Sequence, residues 1–325
     1  MPVSHSKLVV VFGGSGFVGR QAVRALVKDG WRVRVATRRP HVSGDLRVIG
    51  ATGQVQLVQV NIRHKLSVER ALIGADAVVN LVSVLYQSGR QNFNALNIMG
   101  VSNIAEAARD LGISNMVQIS AIGADPQSAS EYSASKGEGE AALRALLPSA
   151  AIVRPSIIFG EGDGFFNKFA SLASLSPVLP LFGGGETKFQ PVYVGDVARA
   201  IAAIIGKGSA GQTYELGGPR TYSFKELLRF TADAVDRKRF YAPIPWPIAN
   251  LMGLIGEISG KFPFVTPFLT RDQVKDLRSD NVVSDSAKDL SDLNIRPESI
   301  EAVVPDYLKR YRKAGQFHKD ADAIL

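Results

Sequence analysis

The sequence contains no cysteine, which excludes disulfides, zinc–thiolate centres, iron–sulfur clusters and thiol nucleophiles. Its four histidines, His5, His41, His64 and His318, stand far apart in the chain, so we expect no metal site. No apolar run approaches the roughly 20 residues that a membrane-spanning helix needs, and the first residues show no signal-peptide pattern. We therefore expect a cytosolic protein or one bound peripherally to a membrane.

The balance of charge is basic, with a net charge of +8 over 325 residues. Such an excess favours anionic partners, namely nucleotides, anionic lipid or an acidic protein surface. Basic residues do not alternate with aromatic ones in a stripe, so we expect no nucleic-acid partner. The length suffices for two lobes.

Apolar runs alternate with helical patterns through the first half of the chain. The predicted strands are Lys7–Phe12, Arg32–Thr37, Val55–Val60, Ala77–Leu81, Asn115–Ser120 and Ala150–Arg154. The predicted helices between them are Val18–Lys28, Ser67–Leu72, Phe93–Leu111 and Ser133–Leu147. This alternation indicates βαβ units and an α/β fold with a doubly wound, mostly parallel sheet of the Rossmann type.

Glycine and proline become frequent after Arg154, which indicates a smaller, mainly helical C-terminal lobe. We expect a strand at Phe189–Tyr193 and a helix at Gly195–Ile205 to return to the first domain. The predicted helices of the second lobe are Ser223–Asp236, Pro247–Ile258, Arg271–Leu277 and Ser299–Arg312. The predicted division is 1–155, with a return near 188–218, for the nucleotide-binding domain, and 156–187 with 219–325 for the smaller lobe.

A glycine-rich turn, Gly13-Gly14-Ser15-Gly16-Phe17-Val18-Gly19, joins the first predicted strand to the first helix. In a Rossmann unit the first glycine permits a tight turn, the second lets the backbone approach a pyrophosphate, and the third lets the helix pack on the sheet. The phosphates lie at the positive end of the helix. A glycine triplet alone is weak evidence, but its place at the head of several βα units predicts dinucleotide binding.

The second strand ends in Thr37-Arg38-Arg39, where NAD-binding domains usually have a carboxylate for the ribose 2′-hydroxyl. Arginine pairs with phosphate instead, so we expect NADP(H) rather than NAD(H), while exposed surface charge is the alternative. Asn61 and Ile62 end the third strand beside the expected adenine. Leu81–Ser83 follow the fourth strand near the adenine ribose.

Tyr132 and Lys136 form a Tyr-x-x-x-Lys pattern on one face of a predicted helix. An ammonium one turn from a phenol favours the phenolate, which makes Tyr132 a candidate general acid/base. Ser120, at the end of the fifth strand, is placed to polarise a substrate carbonyl. Lys136 is also placed to bond the ribose of a nicotinamide nucleotide.

These motifs together resemble the extended short-chain dehydrogenase/reductase superfamily over about the first two thirds of the chain. The resemblance rests on the Gly13–Gly19 turn, Asn80, Ser120, Tyr132 with Lys136, and the segments Arg154–Gly160 and Gln190–Ala198. The predicted nucleotide site comprises Gly13, Ser15, Gly16, Phe17, Val18, Gly19, Arg38, Arg39, Asn61, Ile62, Leu81, Val82, Ser83, Ser120, Tyr132, Lys136, Pro155 and Ile158.

A narrower resemblance extends over nearly the whole chain, to the NADPH-binding accessory subunits of respiratory complex I (NADH:ubiquinone oxidoreductase) and their bacterial relatives. It is carried by Asp163–Ala170, Gln190–Val197, Leu269–Val274 and Asp280–Val283. It implies a tightly held, structural NADPH on the peripheral arm, near the quinone site and the membrane. It also implies the cytoplasmic face of the inner membrane in a bacterium, or the matrix side in a mitochondrion.

Three functions remain open at this point. The separation of Ser120 and Tyr132, 12 positions, is shorter than in catalytic relatives, and the loop Ala121–Pro126 lacks the usual substrate insertion. This favours an accessory subunit without turnover of its own. The retained Tyr132 and Lys136 favour a soluble NADP-dependent reductase, dehydratase or epimerase. A sensor of the nucleotide ratio is the third possibility.

The second lobe contains a candidate contact surface. Phe240–Pro247, the apolar helix through Ile258 and the segment Lys261–Leu269 are rich in aromatic, proline and aliphatic residues. They form either a docking patch for a partner or membrane, or the core of the lobe. The cluster Lys309–Lys313 could meet anionic lipid or acidic protein, the alternative being a solvated helix end.

Overall fold

A computed structural model describes residues 7–260, 267–313 and 315. The strands are β1 Leu8–Phe12, β2 Arg32–Thr37, β3 Val55–Gln59, β4 Ala77–Asn80, β5 Met116–Ile119, β6 Ala151–Pro155, β7 Ile158–Phe159, β8 Val178–Phe182, β9 Lys188–Phe189, β10 Val192–Tyr193, β11 Thr213–Leu216, β12 Tyr222–Ser223 and β13 Phe240–Ile244. The helices are α1 Phe17–Lys28, α2 Lys65–Leu72, α3 Met99–Asp110, α4 Glu131–Leu146, α5 Phe166–Leu175, α6 Val194–Lys207, α7 Phe224–Ala234, α8 Trp246–Ser259, α9 Arg271–Asp276 and α10 Ile300–Leu308.

The chain divides into two compact units. The first contains the residues up to Pro155 together with Val194–Leu216 and Val283–Arg296. The second contains Ser156–Tyr193, Gly217–Val282 and the chain from Pro297 onward. The sequence-based division differs from this one, because it assigns Val283–Arg296 to the smaller lobe and begins the return segment at 188.

The first unit is built on a seven-stranded sheet with strand order β11-β6-β5-β4-β1-β2-β3. All neighbouring strands are parallel, and the predicted fold class is confirmed. β1 is buried along its whole length, as an apolar strand covered on both faces must be. The chain builds outward from β1 to β3 and then returns to place β4 on the other side. In such sheets the ligand crevice opens beyond the carboxyl ends of β1 and β4, where the winding reverses.

The strand predicted at Phe189–Tyr193 is wrong as a return to this sheet. Its residues form two short strands of the second unit, β9 and β10, separated by Gln190-Pro191, and β10 pairs with β7. Proline lacks a backbone donor and interrupts a strand at such a point. The sheet is completed instead by β11, which the sequence analysis did not predict and which pairs with β6.

The described part of the second unit combines five α-helices with three small two-stranded sheets, β10-β7, β12-β9 and β13-β8. Its core is strongly aromatic, since its buried residues include Phe159, Phe166, Phe169, Phe182, Phe189 and Phe224. Phe169 meets Phe224 edge to face with ring centroids 5.6 Å apart, an arrangement that aromatic quadrupoles favour. The mainly helical lobe was therefore predicted, but its small sheets and α5 were not.

α8 is apolar on two sides, of which one is buried and the other is exposed to solvent. Ala249, Gly253 and Gly256 are buried, and a Cβ at Gly256 would lie only 1.9 Å from the carbonyl oxygen of Leu269. The opposite side exposes aliphatic side chains at 36–60%: Ile248, Leu251, Leu254, Ile255 and Ile258. Part of the expected contact surface, 261–266, lies outside the described residues. Among the residues that are described, no helix is both long and apolar enough to cross a membrane.

Candidate functional site

The glycine turn between β1 and α1 is packed so closely that side chains are excluded. Gly13 has φ +76°, and a Cβ there would lie 3.1 Å from the carbonyl carbon of Leu81, which follows β4. A Cβ at Gly19 would lie 2.2 Å from the carbonyl oxygen of Gly13. The positive φ of Gly13 strains any other residue, and real Cβ atoms do not approach backbone as closely as 2.2 Å, so both positions favour glycine. The turn therefore lies at the reversal of the sheet, against the segment after β4.

The amino end of α1 is prepared for an anion. Gly16 is the N-cap and supplies no side chain, and the first turn contains no acidic residue. Phe17 and Val18 begin the helix half-buried. Backbone N–H groups in the first turn of a helix have no partner within the helix, and the helix dipole adds positive potential there. These features fit the diphosphate of a dinucleotide.

The end of β2 is joined to the glycine turn and is basic. The Ser15 and Thr37 hydroxyls are 3.1 Å apart, at hydrogen-bond distance. Arg38 and Arg39 follow, both exposed. Neither forms a salt bridge with another described residue. Two unneutralised guanidinium groups thus occupy the position where a carboxylate would bind a ribose 2′-hydroxyl.

An ion pair near this position was missed by the sequence analysis. Arg20 of α1 makes a bidentate contact with Asp45, which lies in the 3₁₀ segment Pro40–Val48 that follows β2. The carboxylate raises the pKa of Arg20, and Arg20 lowers the pKa of Asp45. The two side chains are 25 positions apart and no motif signalled their contact.

The residues expected around the adenosine have defined local roles. Asn61 Oδ1 accepts hydrogen bonds from the backbone N–H and Nε of Arg63, each at 3.2 Å. Ile62 is buried, and its carbonyl accepts a bond from Asn103 Nδ2. After β4, Leu81, Val82 and Ser83 are half-buried.

A network of buried amides fixes the ends of β4 and β5. Asn80 Nδ2 donates to Gln118 Oε1 at 2.8 Å, and Asn80 Oδ1 accepts from the backbone of Val82 at 3.1 Å. Asn97 Nδ2 donates to Ser135 Oγ of α4 at 2.9 Å. Asn97 lies in a π-helical turn, Asn94–Ile98, of a kind that often marks functional sites. Asn97 was not predicted as a site residue. A polar residue on the apolar face of the predicted helix Phe93–Leu111 was the feature of the sequence that could have indicated it.

Tyr132 and Lys136 lie on the first turns of α4, after the N-cap Ser130. Lys136 Nζ is 5.8 Å from the centroid of the Tyr132 ring. It also donates to the carbonyl oxygen of Ile119, the last residue of β5, at 3.3 Å. The side chain is 4% exposed, and burial lowers the pKa of Lys136 to about 8, while the nearby Glu140 carboxylate opposes that shift.

Ser120, immediately after Ile119, is buried, and its Oγ has no hydrogen-bond partner within the described protein. A buried hydroxyl is normally paired. An unpaired hydroxyl one residue after the carbonyl that accepts from Lys136 fits a pocket whose remaining partner comes from a ligand. The structure thus brings Ser120 and Lys136 to the end of β5, as expected. Pro155 ends β6 in the same unit, whereas Ile158 belongs to β7 of the second unit.

The short loop from Ser120 to α4 packs directly on the helix. Asp125 N donates to the carbonyl of Ser133 at 3.2 Å. A Cβ at Gly137 would lie 2.4 Å from the backbone nitrogen of Pro126. Glycine at this position of α4 therefore allows the loop to lie flat against the helix.

Comparison with known proteins then decides the family. The model of the family described as "NAD dependent epimerase/dehydratase family" matches residues 9–217. This chain belongs to that family. The extended short-chain dehydrogenase/reductase membership expected from the sequence is confirmed. A solved UDP-glucose 4-epimerase from Thermotoga maritima has the same fold, with a TM-score of 0.69, 18% identity and coverage of 94% of this chain and 99% of that chain.

Within the family, two curated relatives are informative. The "NADH dehydrogenase [ubiquinone] 1 alpha subcomplex subunit 9, mitochondrial" of Arabidopsis thaliana is 35% identical over 316 residues, covering 95% of this chain and 79% of the relative. The "Ceramide reductase" of Caulobacter vibrioides is 34% identical over 242 residues, covering 74% of each chain. The expected similarity to complex I subunits is confirmed.

Proposed function

We propose that this chain is an accessory subunit of respiratory complex I that holds NADP(H) in a structural or stabilising role on the peripheral arm. The observation that carries the proposal is the extent of the match to the complex I relative, 95% of the chain. The relative therefore matches both units, including the aromatic second unit. Over this length the two sequences are 35% identical.

The nucleotide proposed is NADP(H), held tightly. The start of α1 and the glycine turn receive the diphosphate, and Arg38 with Arg39 receives the 2′-phosphate, since arginine forms paired bonds to phosphate. Lys136 donates to the nicotinamide ribose, and Tyr132 lies beside it. A bound NADP(H) would supply hydride chemistry if a substrate had access. The flat packing of the loop before α4 leaves no inserted segment there to hold a substrate, which supports a structural role.

The second unit supplies surfaces suited to partner subunits near the quinone site and to the membrane. The apolar side of α8, Ile248–Ile258, is an exposed stripe of aliphatic side chains, a feature associated with contact surfaces. The cluster Lys309–Lys313, which begins at the end of α10, adds positive charge that suits an anionic lipid surface. We propose a peripheral position on the cytoplasmic face of a bacterial inner membrane, or on the matrix side in a mitochondrion.

The partner assignment is tested by affinity purification of the full-length tagged chain from membranes of cells that express it. The wild type should recover NADH:quinone oxidoreductase activity. Replacing Leu251 and Ile255 by serine should release that activity, because the apolar contact is lost. The matched control, Leu66→Ser, changes an aliphatic residue that is also exposed but lies on α2 of the first unit. Recovery of no activity by the wild type would refute the assignment.

A second function, an NADP-dependent reductase or epimerase, is favoured by one arrangement. The orphaned Ser120 hydroxyl and the Lys136 ammonium both lie at the end of β5. In this reading Ser120 donates to a substrate oxygen, and Tyr132, its phenolate favoured by Lys136, transfers the proton. One relative that is 34% identical to this chain over 242 residues is named as an enzyme, the ceramide reductase of Caulobacter vibrioides, which supports this second function. Reduction of a ketone-containing sphingoid substrate by purified protein, abolished by Tyr132→Phe, would establish this function.

A further inference from the structure

Glu140 is a buried carboxylate that is not among the residues proposed to contact the nucleotide. It lies one helical turn after Lys136 on α4 and is 5% exposed. Its two oxygens accept hydrogen bonds from Arg154 of β6, Oε1 from Nε at 2.9 Å and Oε2 from Nη2 at 2.6 Å. Such a paired contact fixes both the position and the plane of the carboxylate.

The charges continue across the sheet in alternating sign. Arg154 Nη1 lies 3.5 Å from Glu215 Oε1 on β11. Glu215 Oε2 accepts bonds from the backbone N–H and the hydroxyl of Ser284, at 2.9 and 2.8 Å. Lys136, Glu140, Arg154 and Glu215 thus alternate between cation and anion. Arg154 is paired with both carboxylates, whereas Lys136 is bonded to a backbone carbonyl.

Lys136 has a well-defined set of neighbours. β5 presents the uncharged Ile119 carbonyl to its Nζ, and α4 presents the Tyr132 ring and the Glu140 carboxylate. Glu140 lies one helical turn from Lys136 on α4, and its carboxylate opposes the lowering of the Lys136 pKa by burial. Burial disfavours that form. A neutral amine would lose one N–H donor and its attraction to phosphate.

We propose that Glu140, held by Arg154 and one helical turn from Lys136 on α4, is a positioning residue of the nucleotide site that keeps Lys136 charged. The inference rests on the proposed function only in that Lys136 faces a bound nucleotide. Arg154 holds the carboxylate in place through its two hydrogen bonds. Arg154 contacts both Glu140 and Glu215, so its single positive charge does not fully neutralise Glu140. The remaining negative potential of Glu140 acts on Lys136.

The test follows the titration of Lys136 directly in the full-length protein without nucleotide. The NMR signals of ¹³C-labelled lysines are recorded from neutral to alkaline pH, and Lys136 is assigned from its loss in Lys136→Met. Glu140→Gln, which keeps the shape and removes the charge, should lower the Lys136 midpoint by at least about one pH unit. An unchanged midpoint would overturn the proposal. Glu140→Asp, which restores the charge, should recover most of the shift.

Glu215→Gln is the matched control, because it removes the other carboxylate on Arg154 and leaves Glu140 in place. Its Lys136 midpoint should stay close to that of the wild type. Equal shifts in the two variants would indicate a general field effect and would overturn the specific role. If Glu140→Gln fails to fold because Arg154 is left half-paired, the double variant Glu140→Gln, Arg154→Gln removes both charges. Its midpoint should still fall, by less than in the single variant, and no fall would again overturn the proposal.

Binding supplies a second readout. The dissociation constant for NADPH, followed by tryptophan fluorescence, should rise as pH passes the Lys136 midpoint, and the rise should begin at lower pH in Glu140→Gln. A wild-type protein that binds no nucleotide at any pH would refute the proposed function. The NMR titration would then still decide whether Glu140 sets the charge of Lys136.

Discussion

A Cβ added to Gly19 would lie 2.2 Å from the carbonyl oxygen of Gly13, so the first turn of α1 touches the backbone of the turn that precedes it. This contact places the open N–H groups of α1 at the reversal of the sheet. No side chain can be inserted without moving the helix away from the turn. The proposed diphosphate position depends on this closeness.

Gly19→Ala should therefore reduce both stability and nucleotide binding. Overpacking of this kind costs about 1–3 kcal/mol, and displacement of α1 should weaken NADPH and NADH alike. Thermal unfolding and equilibrium binding measure the two effects. Gly44→Ala is the control, since a Cβ there meets nothing within 4 Å and the glycine lies in the same unit. Normal binding by Gly19→Ala would show that the phosphates lie elsewhere.

Arg38→Asp should weaken NADPH binding more than NADH binding. The new carboxylate repels a 2′-phosphate and can accept a hydrogen bond from a 2′-hydroxyl. The dissociation constant for NADH divided by that for NADPH should therefore fall by about tenfold or more. Isothermal titration with each nucleotide gives the ratio. Lys207→Asp, the same charge change at the exposed end of α6, should leave it unaltered. Equal loss for both nucleotides in Arg38→Asp would rule out the NADP(H) assignment.

Ser120→Ala should fold as well as the wild type or slightly better. The Oγ is buried without a partner among the described residues. Removing an unsatisfied hydroxyl should change the free energy of unfolding by about 1 kcal/mol or less and can increase it. Denaturant unfolding measures the change. Ser135→Ala is a contrasting control, because it removes the acceptor of Asn97 Nδ2 and should destabilise. A larger loss in Ser120→Ala than in Ser135→Ala would contradict the description of Ser120.

Lys136 should make stability depend on pH in a specific direction. Its folded-state pKa is about 8, below the roughly 10.4 of an unfolded lysine. Between those values the unfolded chain binds the extra proton, so the free energy of unfolding contributed by Lys136 rises with pH. Below about pH 8 both states are charged and burial of the ammonium costs stability.

The measurement compares the wild type with Lys136→Met by denaturant unfolding at neutral pH and near pH 10. The methionine variant should be the more stable at neutral pH by a few kcal/mol at most, and its advantage should shrink at high pH. Lys168, whose pKa burial also lowers to about 8, is present in both proteins and cancels from the difference. A difference that stays constant with pH would show that Lys136 is not held as a buried ammonium.

Tyr132→Phe should leave folding and retained nucleotide nearly unchanged if the role is structural. The ring packs edge to face on Phe93, with centroids 5.8 Å apart, and phenylalanine preserves that contact. Thermal unfolding and analysis of bound nucleotide after purification are the measurements. A large loss of a measurable NADPH oxidation rate in this variant would instead favour the enzyme.

The alternating pattern of the first half was enough to predict the sheet and its class, because parallel strands buried on both faces are continuous apolar runs. The predicted strand Arg32–Thr37 matches β2 at both ends. β11, Thr213–Leu216, was not predicted, because it is four residues long and includes the polar Thr213 and Glu215. Its place in the sheet depends on pairing with residues 61 positions earlier in β6, and no local pattern predicts that pairing.

The candidate site was predictable where backbone geometry demands glycine or where helix spacing pairs two side chains. The turn Gly13–Gly19 and the pair Tyr132 and Lys136 are of this kind. Asn97, Glu140 and the Arg20–Asp45 pair were not predicted, because their roles depend on contacts between separate elements. When the partner of a charged residue lies many positions away, the sequence does not indicate that the charge is buried or which residue pairs with it.

Association with complex I is tested on native membranes of a cell that expresses this chain. The membranes are solubilised gently, complexes are separated by size, and the fractions are assayed for this chain, for NADH:quinone oxidoreductase activity and for nucleotide released on denaturation. We predict that the chain migrates with the activity and carries NADP(H) in about equal amount to itself. A free monomer or dimer that exchanges nucleotide readily would refute the accessory-subunit role and would favour a soluble NADP-dependent enzyme.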